Sequence, residues 1–417
     1  MTKVPERVER AAWWALGLLF AVNLLNYIDR QIISGVQDLI QAEFKLTGLE
    51  IGLVGSSFVV VYMLAAPITG VLADRWPRHW FIAGGVSLWS IATAAAGSAG
   101  SYLQLLSTRA TVGIGEAGYA TVSPGLISDL FPLSLRGRAM SLFFMAIPVG
   151  SALGIGLGGY LGAHYGWRTA FQVVGLPGLL VAIAALWLPD PARGAMDDVG
   201  GKQHAHPQAS FKGYLSLLRI PSYVINTVGM TAYTFSIQGL AFWMPRYLLE
   251  TKLMPRESAT LYFGLVSAAA GFVGTIAGGW AGDALQKKTP RAYFLLSGIG
   301  LILGVPFGCA AILCSGTTAT WSMLFLSEVL LFLNTGPLNA ALANVVPASM
   351  RASAFALNIF VIHLLGDVAS PPLIGMVRDH AGPTTAMLAA IMPMGLAGAV
   401  YLWGMGYYGQ DVHKASD

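Results

Sequence analysis

Apolar residues in this chain gather into runs of about 20 residues or more, the length an α-helix needs to cross a bilayer core. Such runs lie at about 11–36, 49–73, 80–100, 102–128, 138–163 and 169–188, and again at about 220–248, 257–284, 291–314, 320–346, 352–377 and 384–408. The pattern predicts twelve transmembrane helices in two sets of six. The long hydrophilic interruption, 189–218, carries Asp197, Asp198, Lys202, His204 and His206 and has the composition of a solvated linker between two bundles, 1–188 and 219–417.

The basic residues set the orientation, because short cytoplasmic loops collect Lys and Arg. With both termini cytoplasmic, Lys45, Arg168, Arg246, Lys252, Arg256 and Arg378 fall on the far side and Arg30 and Arg109 within spans; the rest of the 24 basic residues lie inside. The halves also repeat. GVLADRWPRH (70–79) closes the second span as GWAGDALQKK (279–288) closes the eighth, aligning Gly70 and Asp74 with Gly279 and Asp283. LRGRAMSLFF (135–144) opens the fifth as MRASAFALNI (350–359) opens the eleventh, matching Arg136 to Arg351. Two parallel six-helix halves of this kind are an architecture of secondary transporters.

Composition narrows the reading. Only 11% of residues are charged, against about a quarter in soluble domains, so most of the surface faces lipid. The 50 glycines let membrane helices approach closely and the 11 tryptophans anchor the interfaces. The net charge of +4 reflects cytoplasmic loops rather than a nucleic-acid partner. Cys309 and Cys314, both in one apolar run, build neither a disulfide framework nor a zinc site. No cleavable signal peptide is evident, and the run after Arg10 reads as the first span. No P-loop, H-E-x-x-H or supported G-x-S-x-G appears, which argues against an enzyme and against a bound cofactor. The compact loops suggest a bacterial inner membrane, and a monomer is expected.

Charges inside spans carry the functional signal. Asp29 and Arg30 lie on the first span, Arg109 and Glu116 on the fourth. Left unpaired, the four would cost on the order of 10 kcal/mol, so they pair or face a watered cavity. Seven positions separate Arg109 from Glu116, placing them on nearly one helical face about 10.5 Å apart. Asp29 is expected to pair with Arg109 in at least one state, with Glu116 or Asp29 taking up a proton in another; the competing reading is a structural cluster stapling the two helices. In the second half, Glu328 and the neutral Asn334, Asn339 and Asn344 lie on the tenth span, and His363 and Asp367 on the eleventh. His363 and Asp367 are four apart and share a face, fit equally for a proton relay or a self-satisfied pair. Tyr233, Phe235, Gln238 and Trp243, with Phe355 and Phe360, could form an aromatic and polar cavity wall. Cations in the first half and aromatics in the second suit a ligand with an anionic head and a hydrocarbon tail, its phosphate on Arg30 or Arg109. They also suit a simple aromatic acid.

The run at 70–79 resembles the loop signature of the major facilitator superfamily, departing from it at Pro77, where glycine is usual. NYIDRQIISG (26–35), TRATVGIGEAGYATVSPGLISDLFP (108–132) and RGRAMSLFFMAIPVGSALGIGLGG (136–159) are more specifically similar to the spinster family of lysolipid and sphingolipid transporters, although N-Y-x-D-R also occurs in organic-anion symporters of the superfamily. The resemblance implies substrate binding and proton coupling at Asp29, Arg30, Arg109 and Glu116. It further implies a cytoplasmic gate of Asp74, Arg75, Arg78, Asp129, Arg136, Asp283 and Arg351.

The expectation is therefore an all-α membrane protein of the major facilitator fold that moves an amphipathic anionic or zwitterionic lipid, such as a lysophospholipid or sphingosine phosphate, by proton-coupled alternating access. A transporter of small organic anions or drugs on the same fold is the alternative. Gly113, Gly115 and Gly118 spell G-x-G-x-x-G, but inside a span and without a preceding strand they read as small faces for helix packing rather than a dinucleotide loop.

Overall fold

The computed structural model describes residues 10–73, 76–192, 195–196, 216–346 and 350–416, and every regular element among them is helical. In chain order these are α1 (Arg10–Phe44), α2 (Gly48–Ala73), α3 (Arg78–Ala96), α4 (Tyr102–Ala120), α5 (Ser123–Leu130) and α6 (Leu133–Ala185). After these come α7 (Pro221–Glu250), a π-turn (Ser258–Tyr262), α8 (Phe263–Gln286), α9 (Ala292–Leu313), α10 (Thr317–Phe332) and α11 (Thr335–Val345). The last are α12 (Arg351–Ile362), a second π-turn (His363–Asp367) and α13 (Ser370–Ser416).

Among the described residues, seven segments are long and apolar enough to cross a membrane, and two of them, Leu135–Ala185 and Ser353–Val412, are 51 and 60 residues long. Each of these two is a pair of spans joined at one glycine. Gly166 (φ 81, ψ 162) breaks α6 and Gly382 (φ 86, ψ 167) breaks α13, in a left-handed region that L side chains avoid.

Two spans expected to be continuous are not. The stretch 102–128 breaks at Thr121–Val122 between α4 and α5, and 320–346 breaks at Leu333–Asn334 between α10 and α11. Proline explains both corrections. Pro124 and Pro337 each lack the N–H that would bond the carbonyl four residues back, at Ala120 and Leu333. The eleventh span is likewise modified by its π-turn, where Val368 N–H donates to the carbonyl of His363, five residues back, at 2.9 Å.

By its contacts the chain divides into two compact units: 1–46, 53–204 and 256–261 in unit 1, and 47–52, 205–255 and 262–417 in unit 2. In unit 1, Ala12, Ala15, Leu16, Leu19 and Val22 form one face of α1 and join a core with Ile82, Val86 and Trp89 of α3 and Leu126, Ile127 and Leu130 of α5. Farther along, α6 lays Gly150, Gly154 and Gly158 against the backbone of α1. A Cβ at these positions would stand 2.7, 2.5 and 2.5 Å from the carbonyl oxygens of Leu24, Ile28 and Ile32. Both series advance by four, so the helices run parallel in direct backbone contact, the small-residue packing of membrane helices.

The G-x-G-x-x-G glycines serve the same purpose. A Cβ at Gly115 would lie 2.6 Å from the Gly85 carbonyl oxygen of α3, one at Gly118 would lie 3.3 Å from that of Phe81, and Gly113 abuts the Phe58 carbonyl of α2. They press α4 onto α2 and α3. In unit 2, Gly274 of α8 meets the Val329 carbonyl of α10, and Phe294 of α9 stacks on Tyr408 of α13 at 4.5 Å.

Candidate functional site

The close approach of α4 to α2 and α3 brings its two charged residues against α1. Consecutive residues on a helix diverge by about 100°, so Asp29 and Arg30 reach different partners. Arg109 Nη1 donates to Asp29 Oδ1 at 2.8 Å, and Thr93 Oγ1 of α3 donates to Asp29 Oδ2. Arg30 binds Glu116 through Nε at 2.7 Å and Nη2 at 2.5 Å, both on Oε2. One step along α1 thus answers seven along α4. The two long guanidinium side chains take up the ~10.5 Å rise between Arg109 and Glu116.

Burial separates the two pairs. The Arg109 and Glu116 side chains are wholly buried and Asp29 nearly so, while the Arg30 side chain keeps 20% exposure. Aromatic faces surround the guanidiniums: Arg30 Cζ lies 5.0, 5.2 and 5.5 Å from the ring centroids of Tyr27, Phe58 and Tyr62. Arg109 Cζ lies 5.8 and 5.7 Å from Phe58 and Phe171. These separations suit cation–π contact. The cluster holds two guanidiniums and two carboxylates and is neutral when all four are ionised. Glu116 Oε1 is buried without a hydrogen-bond partner.

Sequence reasoning did not mark Thr93, Phe58 or Tyr62. Phe58 and Tyr62 are four apart on α2, a spacing readable in the sequence, but the charge of their span, Glu50, lies in its first turn and does not draw notice to them. Thr93 is one hydroxyl among alanines.

The residues assigned to a cytoplasmic gate are placed as follows. Arg78, 3% exposed, pairs through Nη1 with Asp129 Oδ2 at 2.7 Å and through Nε with Asp190 Oδ1 at 3.4 Å. Asp190, which the sequence did not single out, also accepts the Arg78 backbone N–H at 3.0 Å. Arg136 Nη2 donates to the Ser128 carbonyl at 2.8 Å, joining α6 to α5. In unit 2, Asp283 accepts from Tyr293 Oη at 3.1 Å and Arg351 Nε donates to the Ala343 carbonyl at 3.0 Å. Asp74 and Arg75 lie outside the described residues, as do His204 and His206 of the linker.

The remaining unit 2 positions are dispersed. Tyr233 is buried with its hydroxyl 3.0 Å from Thr335 Oγ1 at the start of α11. Asn334 and Asn339 donate to carbonyls of their own turns, at Leu330, Leu331 and Thr335. Gln238 and Phe355 are half-buried and Phe360 is exposed. His363 Nδ1 meets Asp367 Oδ2 across the π-turn, with a third of the histidine side chain exposed. Glu328 is buried and accepts from Ser267 Oγ of α8 at 3.0 Å.

The family model of the Major Facilitator Superfamily matches residues 19–371. Protein spinster of Drosophila melanogaster is 33% identical over 390 residues, covering 90% of this chain and 64% of that protein, so the chain spans less than two thirds of its length. Protein spinster homolog 1 of Mus musculus is 35% identical over 381 residues, covering 87% of this chain and 72% of that one. Among solved structures, a bacterial homologue of the human lysosomal transporter Spinster, in an inward-facing and unoccupied conformation, superposes with a TM-score of 0.87 over 97% of this chain and 98% of that one, at 24% identity. The fold is that of a multi-pass integral membrane transporter and not of an enzyme, and the chain belongs to the spinster family of the Major Facilitator Superfamily.

Proposed function

We propose that this transporter moves an amphipathic lipid with an anionic or zwitterionic head, of the lysophospholipid or sphingosine-phosphate kind, by proton-coupled alternating access. In this reading the bundles 1–188 and 219–417 are its moving halves and the linker 189–218 joins them. The observation that carries it is the neutral quartet of Asp29, Arg109, Arg30 and Glu116, of which Arg30 alone keeps appreciable exposure. An anionic head that takes Arg30 must displace Glu116, and the released carboxylate sits in an apolar, buried place. One proton on Glu116 for each monoanion on Arg30 leaves the quartet neutral throughout, so substrate and proton travel together. The aromatic collar of Tyr27, Phe58 and Tyr62 positions the guanidinium for a phosphate, which it can bind bidentately. The resemblance to lysolipid and sphingolipid transporters supports the tail. Arg78, Asp129 and Arg136 serve in this reading as the cytoplasmic gate.

Thermal stabilisation of the purified protein by lysophosphatidic acid, sphingosine phosphate, small aromatic acids and cationic amines tests the substrate class. Protection by the single-chain lipids, abolished in Arg30→Gln, is expected. Protection by aromatic acids alone would establish the alternative, a small-organic-anion transporter using the same arginine.

A further inference from the structure

A second acid lies deep in a span of unit 2. Glu328 is 3% exposed, and its sole hydrogen bond among the described residues is the one that Ser267 Oγ donates to Oε1 at 3.0 Å. Its other oxygen, Oε2, is buried without a partner, and no Lys, Arg or His of the described residues pairs with it. The elements packed on this face add no charge. On α8 the charged residue is Asp283, sixteen positions from Ser267 and hence about 24 Å along the axis. On α9 the titratable side chains are Tyr293 and Cys309, and neither bonds to Glu328; Gly304 and Gly308 are what α9 turns toward Ser327 and Leu330.

The position has a counterpart. Glu328 stands 212 residues after Glu116, and the same offset relates the last residue of α4, Ala120, to that of α10, Phe332, and the first of α5, Ser123, to that of α11, Thr335. Each acid therefore sits four residues before the last residue of its helix. The offset falls between the 209 of Gly70 and Gly279 and the 215 of Arg136 and Arg351. By the 209-residue offset Ser267 corresponds to Phe58, so a hydroxyl stands where unit 1 places the ring over Arg30. The repeat keeps the acid and replaces its cationic surroundings.

We propose that Glu328 is a second proton-binding site of this transporter, the counterpart of Glu116 with a serine hydroxyl in place of an arginine. An ionised carboxylate here would have one hydroxyl donor and no counter-charge in a lipid-surrounded interior, which disfavours the charged form. The neutral acid needs no counter-charge and keeps the Ser267 hydrogen bond to its carbonyl oxygen. Glu116 exchanges its proton against a guanidinium and Glu328 against water admitted to the span, so the two respond to different events. The assignment rests on the proton-coupled reading for its role in transport, though not for the binding itself.

Infrared spectroscopy of the full chain in liposomes, titrated with pH and without any ligand, tests it. A protonated-carboxyl carbonyl stretch that fades as pH rises is expected in the unmodified protein and in Glu116→Gln, and is expected to be missing in Glu328→Gln. Ser267→Ala, which removes the hydrogen bond to Oε1, is expected to move that band to higher frequency without abolishing it. A Glu328→Gln spectrum that superimposes on the unmodified one, or a band that pH does not change, would overturn the proposal. Because no transport is measured, this outcome is separate from whether a proton gradient drives uptake; failure of uptake to follow the gradient would count against the coupled mechanism alone.

Discussion

Arg30 grips Glu116 by a single oxygen: Nε and Nη2 both contact Oε2, at 2.7 and 2.5 Å, while Oε1 is equally buried and unpartnered. A bidentate pair would occupy both oxygens and hold the acid ionised and still. The one-sided grip leaves a free oxygen for a proton. Glu116→Gln keeps an acceptor oxygen for Arg30 and removes the carboxyl that takes the proton in the proposed mechanism. It is expected to preserve substrate exchange across proteoliposomes at equal pH while abolishing accumulation driven by a pH gradient. Gradient-driven accumulation at the unmodified level would remove Glu116 from the coupling path.

Asp29 and Arg109 behave differently because both are sealed. Asp29→Asn strips Arg109 of its counter-charge and leaves a buried charge, a defect of about 3–5 kcal/mol in buried pairs. Thermal unfolding in detergent is expected to show that loss. Replacing both, as Asp29→Asn with Arg109→Gln, is expected to recover a large part of it, since the two changes are directly coupled. Additive losses would mean that the pair contributes nothing beyond its separate contacts.

The all-helical membrane fold could be read from the sequence because it rests on a composition that lipid imposes: about 20 apolar residues per crossing. The pairing of Asp29 with Arg109 could be anticipated for a similar reason, since few ionised groups enter a bilayer and those few must meet. The partner of Arg30 was not legible. It depends on the 100° step between residues 29 and 30 and on the length of the arginine side chain, which only coordinates resolve. Asp190 lay hidden because a carboxylate just past a span looks like any loop residue until Arg78 folds onto it. Pro124 and Pro337 did announce the breaks in the fourth and tenth spans, but an apolar run masks a proline unless the carbonyl four residues back is considered.

Two adjacent glycines of α3 make the packing testable. A Cβ at Gly84 meets nothing within 4 Å, whereas one at Gly85 would lie 2.5 Å from the Gly115 carbonyl oxygen of α4. Gly84→Ala is expected to leave thermal stability unchanged or raise it by about 0.5–1 kcal/mol through lost chain entropy. Gly85→Ala must push α4 away and is expected to cost about 1–3 kcal/mol, as overpacking does. Because α4 carries both Arg109 and Glu116, Gly85→Ala is also expected to impair transport. Equal behaviour of the two variants would refute the close contact between α3 and α4.

Phe58 lies between both guanidiniums, 5.2 Å from Arg30 and 5.8 Å from Arg109, while Tyr62 serves Arg30 alone at 5.5 Å. A leucine at either place keeps an apolar side chain and removes the ring's negative face. Each lost cation–π contact is worth about 0.5–2 kcal/mol, more where the cation is desolvated. Phe58→Leu, losing two contacts of which one is to the fully buried Arg109, is therefore expected to destabilise more than Tyr62→Leu in thermal unfolding. The background decides the interpretation. In Arg30→Gln the penalty of Tyr62→Leu should fall nearly to that of the lost apolar packing, while Phe58→Leu should retain the part owed to Arg109. If the two penalties fall together, the rings act as packing alone and the collar does not hold the cations.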